Sequence, residues 1–226
     1  DHRDLHSFPT RRSSDLDYLA QRLHQRGFEP GEDLFAQGDA GDCMYLLESG
    51  VVRIYRVTAA GKEITLALRV APEFVGDMSL LDGLPRSASA CAQGDRVRCW
   101  VLQRNDLQQL IASQPESALM MLKVLSCRLR EAGEHLEELA FSTIQQRLAT
   151  LLLRLCRAEG QPTGEAIMLP GWVSYQSLST MLGTARECVN RVAVDLVDVG
   201  ALTRKGRRLV VNNLEVLEAV HQGAAQ

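Results

Sequence analysis

The sequence predicts an α+β fold in which an N-terminal antiparallel β-roll is followed by a long helix and a C-terminal winged helix-turn-helix. Three observations carry this prediction. Residues 28–102 alternate short apolar or β-branched runs with Gly-containing turns, which is typical of a jelly-roll-like antiparallel domain. Residues 115–139 have helical apolar spacing. Residues 174–211 have the pattern of helix, turn, helix and hairpin.

Composition favours a soluble globular protein. The 226 residues suit one large or two small domains, and 46% are hydrophobic and 23% charged. No apolar run approaches the length of about eighteen residues that a membrane span needs, and no signal peptide is visible, so we expect a cytoplasmic protein. Six cysteines lack C-x-x-C or zinc-type spacing. We therefore expect reduced thiols, and neither a metal ion nor an iron–sulfur cluster.

Residues 1–15 show no helical or strand periodicity and do not begin with Met. They resemble translated sequencing-adapter sequence, and we interpret them as a non-native or disordered lead. A basic arm for nucleic acid, through Arg11 and Arg12, is the functional alternative. We predict the β domain over residues 16–113, the long helix and a hinge over 114–142, and the helix-turn-helix domain over 143–226.

The run EITLALR, residues 63–69, alternates in character with the period of a strand. It places Ile64, Leu66 and Leu68 on one face, and residues 65, 67 and 69 on the other. This alternation predicts a half-buried strand.

The long helix has an apolar seam whose residues are separated alternately by four and three positions, as at the a and d positions of a heptad. One helix cannot bury such a seam alone. It packs either on its own β domain or on the same helix of a second subunit, and periodicity does not choose. The seam consists of Ala118, Leu122, Leu125, Leu129, Ala132, Leu136 and Leu139.

The run FVGDMSLLDGLPRSASA, residues 74–90, places a glycine, a carboxylate and an Arg-Ser pair where one loop could enclose a phosphate and a sugar. Gly76 allows backbone amides to approach an anion, and Asp77 can accept from a ribose hydroxyl. Arg86 offers a planar fork of donors, and Ser87 adds a hydroxyl. The alternative is an ordinary solvated turn between two strands. We refer to residues 74–90 as the cassette.

The C-terminal segment has the pattern of a DNA-reading unit. Ser174 can cap a first helix, Gly183 forms the turn, and Thr184 with Glu187 forms a capping box for a second helix. The run ALTRKGRRLVVN, residues 201–212, then predicts a hairpin, or wing. Residues 141–226 hold nine basic and seven acidic residues, against 16 and 21 in the first 140. So small an excess is a weak indication of nucleic-acid binding.

The second helix begins TARECVNR, which brings two arginines and a glutamate to its N-terminal turns. Arg186 and Arg191 can each donate two hydrogen bonds to guanine, and Glu187 can accept from cytosine. A solvated charged face with a Glu187–Arg191 pair is the alternative. In the wing, basic residues including Lys205 would contact phosphates without reading sequence.

These motifs, together with FEPGEDLFAQGDAGDCMYLLESGVVRIYR and the hinge-like LAFSTI, resemble the Crp/Fnr family, that of the cyclic-AMP receptor protein and its oxygen-sensing relatives. The resemblance runs over residues 16–211. It implies a bacterial transcriptional regulator: a homodimer formed through the long helix, with an effector domain that controls binding to palindromic double-stranded DNA. It also implies a half-site similar to TGTGA, contact with RNA polymerase if the protein is an activator, and no membrane association.

The resemblance assigns three sets of residues. Those for the ligand are Gly76, Asp77, Met78, Ser79, Arg86, Ser87, Ala132 and Gly133. Those for DNA are Tyr175, Gln176, Thr184, Arg186, Glu187, Asn190, Arg191 and Lys205. Those for the dimer interface are Leu122, Leu125, Leu129, Ala132, Leu136 and Leu139.

The sequence departs from the family pattern at the ligand and DNA positions. Asp77 stands where cyclic-AMP-binding members have Glu, and Ala132-Gly133 replaces their adenine-contacting hydroxyl pair. The expected ligand is therefore cyclic AMP or another cyclic nucleotide, a different nucleotide or another small anion, or none. In the second helix, Ala185 and Cys188 replace hydroxyl residues, and Cys188 is either a redox-sensitive thiol or a small packing residue.

Other classes of protein fit less well. An iron–sulfur sensor needs an N-terminal cysteine cluster, which is missing, whereas a haem sensor needs an axial ligand such as His135 or Cys91. A cyclic-nucleotide-binding regulatory subunit of an enzyme would explain the β domain but not residues 174–211. No nucleophile–base pair, metal spacing or Walker loop is visible, so we expect no enzyme activity.

Overall fold

A computed structural model describes residues 22–223 of the chain. The interpretation of residues 1–15 lies outside the described residues. The described chain divides into two compact units, one formed by residues 22–56 and 66–132 and the other by residues 57–65 and 133–223. No helix within the described range is long and apolar enough to cross a membrane.

An antiparallel sheet forms the body of the first unit. Its central path runs β1-β6-β3-β4, with β2 paired to β6 and β5 paired to β3. The main core lies among these strands and includes Phe28, Val52 and Cys99, none of which is accessible to solvent. The strands are β1 His24–Phe28, β2 Asp33–Phe35, β3 Cys43–Val57, β4 Glu63–Val70, β5 Phe74–Val75 and β6 Ser89–Gln103.

Three helices follow or interrupt these strands. The short helix α1 Asp77–Asp82 lies within the cassette, α2 Arg104–Ser113 follows β6, and α3 Pro115–Phe141 is the long helix. A second core of Met44, Phe74, Leu80, Leu102, Leu107, Leu110 and Met121 joins these helices to the sheet. The cassette helix is thus packed against the elements that lead into α3.

At the N-terminal end of β4, the face that carries Thr65 is more buried than the aliphatic face. Ile64 and Leu66 are exposed, Leu66 by 48%, whereas Thr65 is only 6% exposed. The physical reason is that Thr65 belongs to the second compact unit, where its hydroxyl lies 3.4 Å from that of Thr180. Alternation correctly indicates a strand, but it does not show which of the two faces is covered.

The long helix runs two residues beyond the predicted 115–139. Within its first half the buried side chains are Ser117 and Met121, which do not belong to the a/d seam. Leu122 and Leu129 of the seam are exposed, Leu129 by 75%. The β domain of the same chain therefore does not cover these leucines.

The second unit contains a four-stranded sheet of order β7-β8-β10-β9 and four further helices. Its helices are α4 Ile144–Glu159, α5 Tyr175–Leu182, α6 Arg186–Asp198 and α7 Leu214–His221. Its strands are β7 Gln161–Thr163, β8 Ala166–Met168, β9 Leu202–Lys205 and β10 Arg208–Val211. The hairpin of β7 and β8 and the helix α7 were not predicted.

Local capping explains where the C-terminal helices begin, with one correction. Ser174 caps α5 as predicted, in a capping box completed by Ser177. Gly183 ends this helix with φ +62°, a conformation that favours glycine. The predicted capping box of Thr184 and Glu187 is wrong, because α6 begins one residue later, with Ala185 as its N-cap and no side-chain cap.

Candidate ligand and DNA-binding sites

Gly76 and Arg86 meet at the start of the cassette helix. The Arg86 Nη1 donates to the Gly76 carbonyl at 2.6 Å. Gly76 has φ +80°, and a Cβ at this position would lie 2.6 Å from the same Nη1. Glycine is therefore required here both by the backbone conformation and by the close approach of the guanidinium.

Arg86 is buried, with only 3% of its surface exposed. Its Nη2 donates to the Cys43 carbonyl at 2.6 Å, and its guanidinium lies over the Phe35 ring, 4.3 Å from the centroid. Its Nε is buried without a hydrogen-bond partner. Among the residues described, no carboxylate forms an ion pair with Arg86. A guanidinium remains charged in proteins, yet the partners of this one are all neutral: two carbonyls, the Cys43 sulfur and a ring.

Asp77 is only 2% exposed. One of its two carboxylate oxygens accepts a hydrogen bond, and the other has no hydrogen-bond partner. Its Oδ1 accepts from the Arg128 Nη1 at 2.7 Å, whereas its Oδ2 is buried with no hydrogen-bond partner. Burial of an unpaired carboxylate oxygen costs free energy, which a donor from a bound molecule would offset.

Arg128 of α3 is a cassette partner that the sequence analysis missed. Besides Asp77, its Nη2 donates to Glu73 at 2.9 Å and to the Phe74 carbonyl at 2.5 Å. Burial alone would lower the pKa of Arg128, but the charges of Asp77 and Glu73 outweigh this effect and raise the pKa above its ordinary value. The available signal was its position, four residues before Ala132 and hence on the same side of the helix.

The ion pairs of Arg128 continue into a chain of alternating charge. Arg69 lies 3.4 Å from Glu73 and 3.1 Å from Glu131, so positive and negative groups alternate from Asp77 through Arg128, Glu73 and Arg69 to Glu131. The four members nearest the cassette are largely buried, and only Glu131 is well exposed. This chain connects the cassette to two successive turns of α3.

The remaining predicted ligand residues occupy varied environments. Met78 and Ser87 are exposed, and the Ser87 hydroxyl lies 3.9 Å from the Met78 sulfur. Ser79 is buried. Ala132 and Gly133 are exposed on α3, and a Cβ at Gly133 would have nothing within 4 Å. The structure brings Gly76, Asp77 and Arg86 together with Arg128, while positions 132 and 133 provide no side-chain hydrogen bond.

The helix α6 buries one face and exposes another. Val189, Val192, Ala193 and Leu196 are buried. The four predicted DNA-contacting residues of this helix are all exposed: Arg186, Glu187, Asn190 and Arg191. Their spacing of one, three and one residues places them on a single side of the helix, beginning at its first turn. They therefore form one continuous polar surface.

Arg191, one of the predicted DNA-contacting residues, contacts a side chain of its own helix. The Arg191 Nη2 lies 3.5 Å from the Cys188 sulfur, rather than in an ion pair with Glu187. Gln176 and Lys205 are exposed, whereas Tyr175 and Thr184 are half-buried. The wing is the hairpin of β9 and β10, with Arg208 opposite Lys205.

The cysteines are free thiols, and Cys127 and Cys188 are the two that are not buried. Burial raises the pKa of Cys99 and of Cys156 to about 11. His135 lies 3.7 Å from Glu138. Within residues 22–223 no group of three or more His, Cys, Asp or Glu side chains is arranged to hold a metal ion.

Comparisons with known proteins match two separate segments of the chain. The cyclic nucleotide-binding domain matches residues 25–114, and the Crp-like helix-turn-helix domain matches residues 146–220. The cyclic AMP receptor protein of Thermus thermophilus is 36% identical over 210 residues, which cover 93% of this chain and 92% of that protein. The CRP-like cAMP-activated global transcriptional regulator of Mycobacterium tuberculosis is 30% identical over 199 residues, 88% of each chain.

A solved structure shares the fold. The c-di-GMP-responsive global regulator CLP of Xanthomonas campestris has a TM-score of 0.78 at 24% identity, covering 89% of this chain and 100% of that chain. Fold and domain matches together define a DNA-binding transcriptional regulator with a cyclic nucleotide-binding domain. The chain belongs to the Crp/Fnr family, which confirms the fold class and the resemblance predicted from the sequence. The Mycobacterium tuberculosis relative is named as a transcriptional regulator.

Proposed function

We propose that the protein is a homodimeric transcriptional regulator whose affinity for a palindromic DNA site is controlled by a phosphate-bearing ligand in the cassette. The observation that carries the proposal is a pair of buried, orphaned polar atoms in one loop, the donor Arg86 Nε and the acceptor Asp77 Oδ2. They require opposite partners. A ligand that presents a phosphate oxygen and a hydroxyl group supplies both.

Charge supports an anionic ligand. Asp77 already has Arg128 as its counter-charge, whereas the partners of Arg86 within the described residues are neutral: two carbonyls, the Cys43 sulfur and an aromatic ring. A bound phosphate would provide the anionic hydrogen-bond partner that Arg86 lacks within the described residues. The ribose hydroxyl of a nucleotide would then donate to Asp77 without displacing Arg128 from the other carboxylate oxygen.

A cyclic nucleotide is the proposed effector class. The Thermus thermophilus and Mycobacterium tuberculosis relatives are named for cyclic AMP, which supports this class for the present chain. Ala132 and Gly133 have no side-chain donors for a base. We therefore propose that the phosphate and sugar supply most of the affinity and that selectivity for adenine is weak.

A second copy of the chain is the proposed partner of the long helix. The exposed a/d leucines Leu122, Leu129, Leu136 and Leu139 favour pairing with the same residues of a second α3. A two-fold dimer presents two copies of α6, and a palindromic site has matching symmetry. Contact with RNA polymerase would follow if the regulator is an activator.

The side chains proposed to read bases are Arg186, Glu187 and Arg191, with Asn190 on the same surface. They lie at the N-terminal turns of α6, where a second helix of a helix-turn-helix approaches base edges. Lys205 and the other basic side chains of the wing are proposed to contact phosphates. Ala185 offers no hydroxyl for an additional phosphate contact.

A thermal-shift screen of cyclic mononucleotides and cyclic dinucleotides, on the purified full-length protein, tests the ligand proposal. A ligand that binds only the native state raises the melting temperature as its concentration increases. We expect stabilisation of the wild type and its loss in Arg86→Ala, but not in the control Arg98→Ala, whose side chain is 59% exposed. No stabilisation by any nucleotide, or equal stabilisation in Arg86→Ala, would contradict the proposal.

A further inference from the structure

Two arginines cross-link the same two backbone segments of the β-roll. One segment is the loop 41–43 at the start of β3, and the other is the cassette segment 76–80. Arg86 connects them through the Gly76 and Cys43 carbonyls. Arg104 connects them again, since its Nη2 donates to Gly41 at 2.6 Å and to Ser79 at 2.9 Å, and its Nη1 donates to Leu80 at 2.5 Å.

Arg104 is held firmly where it makes these bonds. It is the first residue of α2, and its backbone amide donates to the Asp42 carbonyl at 2.9 Å. Its main chain and its side chain therefore both bind the loop 41–43. All three acceptors of its guanidinium are backbone carbonyls.

The loop 41–43 and the helix α1 approach each other so closely that position 41 has no space for a side chain. A Cβ at Gly41 would lie 2.1 Å from the Cβ of Ser79. The bonds of Arg104 to Gly41 and Ser79 span this contact. Arg104 thus holds α1 against the loop at the point of closest approach.

Ligand binding would affect the two arginines differently. If a phosphate binds the Arg86 Nε and draws the guanidinium toward the ligand, the Nη donors turn away from the Gly76 and Cys43 carbonyls, and the cross-link weakens. Arg104 keeps its three carbonyl partners in the same event. Resting on the proposed function, we propose that Arg104 is a positioning residue that preserves the shape of the cassette while Arg86 exchanges backbone carbonyls for the ligand.

Amide hydrogen exchange of the full-length protein tests this proposal without any ligand. We compare Arg86→Met, Arg104→Met and the double variant, and follow the amides of residues 77–83. Because each cross-link compensates for loss of the other, the double variant should accelerate exchange roughly fivefold or more beyond the product of the single effects. Exchange in the wing, residues 202–211, should remain unchanged.

Arg98→Met is the matched control, because Arg98 is on the same domain but bonds to Ser49 and Glu48. Combined with Arg104→Met, it should give only the product of the two single effects. A purely multiplicative effect in the Arg86 and Arg104 double variant would overturn the proposal.

Calorimetry with cyclic AMP as the probe provides a second measurement. Arg104→Met should weaken binding roughly tenfold although Arg86 is intact, and Arg104→Lys should restore only part of it, because a single ammonium cannot span carbonyls on both segments. Equal cyclic AMP affinity in wild type and Arg104→Met would overturn the positioning role. If the wild type binds no cyclic nucleotide while the exchange coupling is observed, the proposed effector fails and the role of Arg104 stands.

Discussion

Arg86 and Asp77 are buried ionisable side chains whose hydrogen-bonding capacity the protein itself does not exhaust. Leaving a buried donor or acceptor unpaired costs about 1–3 kcal/mol, more for charged groups. A ligand that satisfies both atoms recovers this cost on binding. The structure of the cassette thus favours a molecule with both phosphate and hydroxyl groups.

The glycine at position 76 should be needed for the position of Arg86 as well as for the turn. In Gly76→Ala, the new Cβ displaces the guanidinium, and the positive φ adds strain of about 1–2 kcal/mol. Gly83 has a similar φ of +74° with open space around its Cβ, so Gly83→Ala isolates the strain. Urea unfolding should show a larger loss of stability in Gly76→Ala, and equal losses would contradict this interpretation.

Positions 132 and 133 should control selectivity for the base. The double change of Ala132→Thr and Gly133→Ser introduces the hydroxyls that cyclic-AMP-binding members of the family carry, and the space around Gly133 accommodates a side chain. Calorimetry should show a severalfold gain in cyclic AMP affinity, since one hydrogen bond contributes about 0.5–1.5 kcal/mol.

The control for this change is Gly133→Ala, which adds a Cβ without a hydroxyl. It should stabilise the helix by about 1 kcal/mol and leave the affinity unchanged. An equal gain in affinity from Gly133→Ala, or no gain from the double change, would contradict a role of these positions in base recognition.

Some residues of the candidate site could be predicted from the sequence and others could not, for a physical reason. Gly76, Asp77 and Arg86 lie in one motif with an evident chemistry, and Arg128 was within reach because it lies four residues before Ala132. Arg104 was not. The acceptors of its side chain are backbone carbonyls 25, 24 and 63 residues away. Because every residue has a backbone carbonyl, the sequence does not indicate which carbonyls accept these hydrogen bonds.

Among the secondary-structure elements, the long helix gives a clear sequence signal, yet its buried side chains are only Ser117 and Met121. The 4-3 spacing predicts the helix, and its boundaries agree within two residues at the C-terminal end. What periodicity left open was the partner of the seam. The exposure of Leu122 and Leu129 argues against the chain's own β domain and favours a second copy of α3.

Replacing Leu129 with Glu should dissociate the dimer. The substitution would bury a charge against its counterpart in the second helix, without a cation to pair with it. Analytical ultracentrifugation should show a dimer for the wild type and a monomer for Leu129→Glu. Lys123→Glu, on the same helix but outside the seam, should remain dimeric. A wild-type monomer at micromolar concentration would contradict the account.

Elements whose details depend on tertiary contacts were predicted less well. Strand β4 was recognised, yet Thr65 rather than Ile64 is buried, because its partner Thr180 is 115 residues away. The start of α6 differs by one residue from the predicted box, because Ala185 is the cap although it offers no side-chain acceptor. Local propensity gives the type of element more reliably than its orientation or its ends.

At the scale of the whole molecule, the ligand site and the DNA-reading surface belong to different compact units. The cassette lies in the unit with residues 66–132, and α6 lies in the unit with residues 133–223. The order of β-roll, long helix and helix-turn-helix was predictable from the change in periodicity. The inclusion of residues 57–65 in the second unit was not, since it depends on contacts distant in sequence.

Mutations should distinguish the side chains that read bases from those that contact phosphates. Arg186→Ala should lose roughly 1–3 kcal/mol of discrimination at one base pair per half-site, whereas Lys205→Ala should weaken all sequences alike and reduce the salt dependence. The measurement is selection of duplexes from a random pool, followed by titrations at two salt concentrations. Half-sites should repeat about 34 Å apart, one turn of the duplex. Equal losses on specific and random DNA in Arg186→Ala would exclude this residue from base recognition.

Control of DNA binding by occupancy of the cassette can be measured by fluorescence anisotropy on the selected duplex. DNA affinity is measured for wild type and Arg86→Ala, each with and without the most stabilising nucleotide of the screen. Such control predicts that the nucleotide changes wild-type affinity about fivefold or more and leaves Arg86→Ala unchanged. A wild-type affinity that no nucleotide alters, or an Arg86→Ala response equal to that of the wild type, would contradict it.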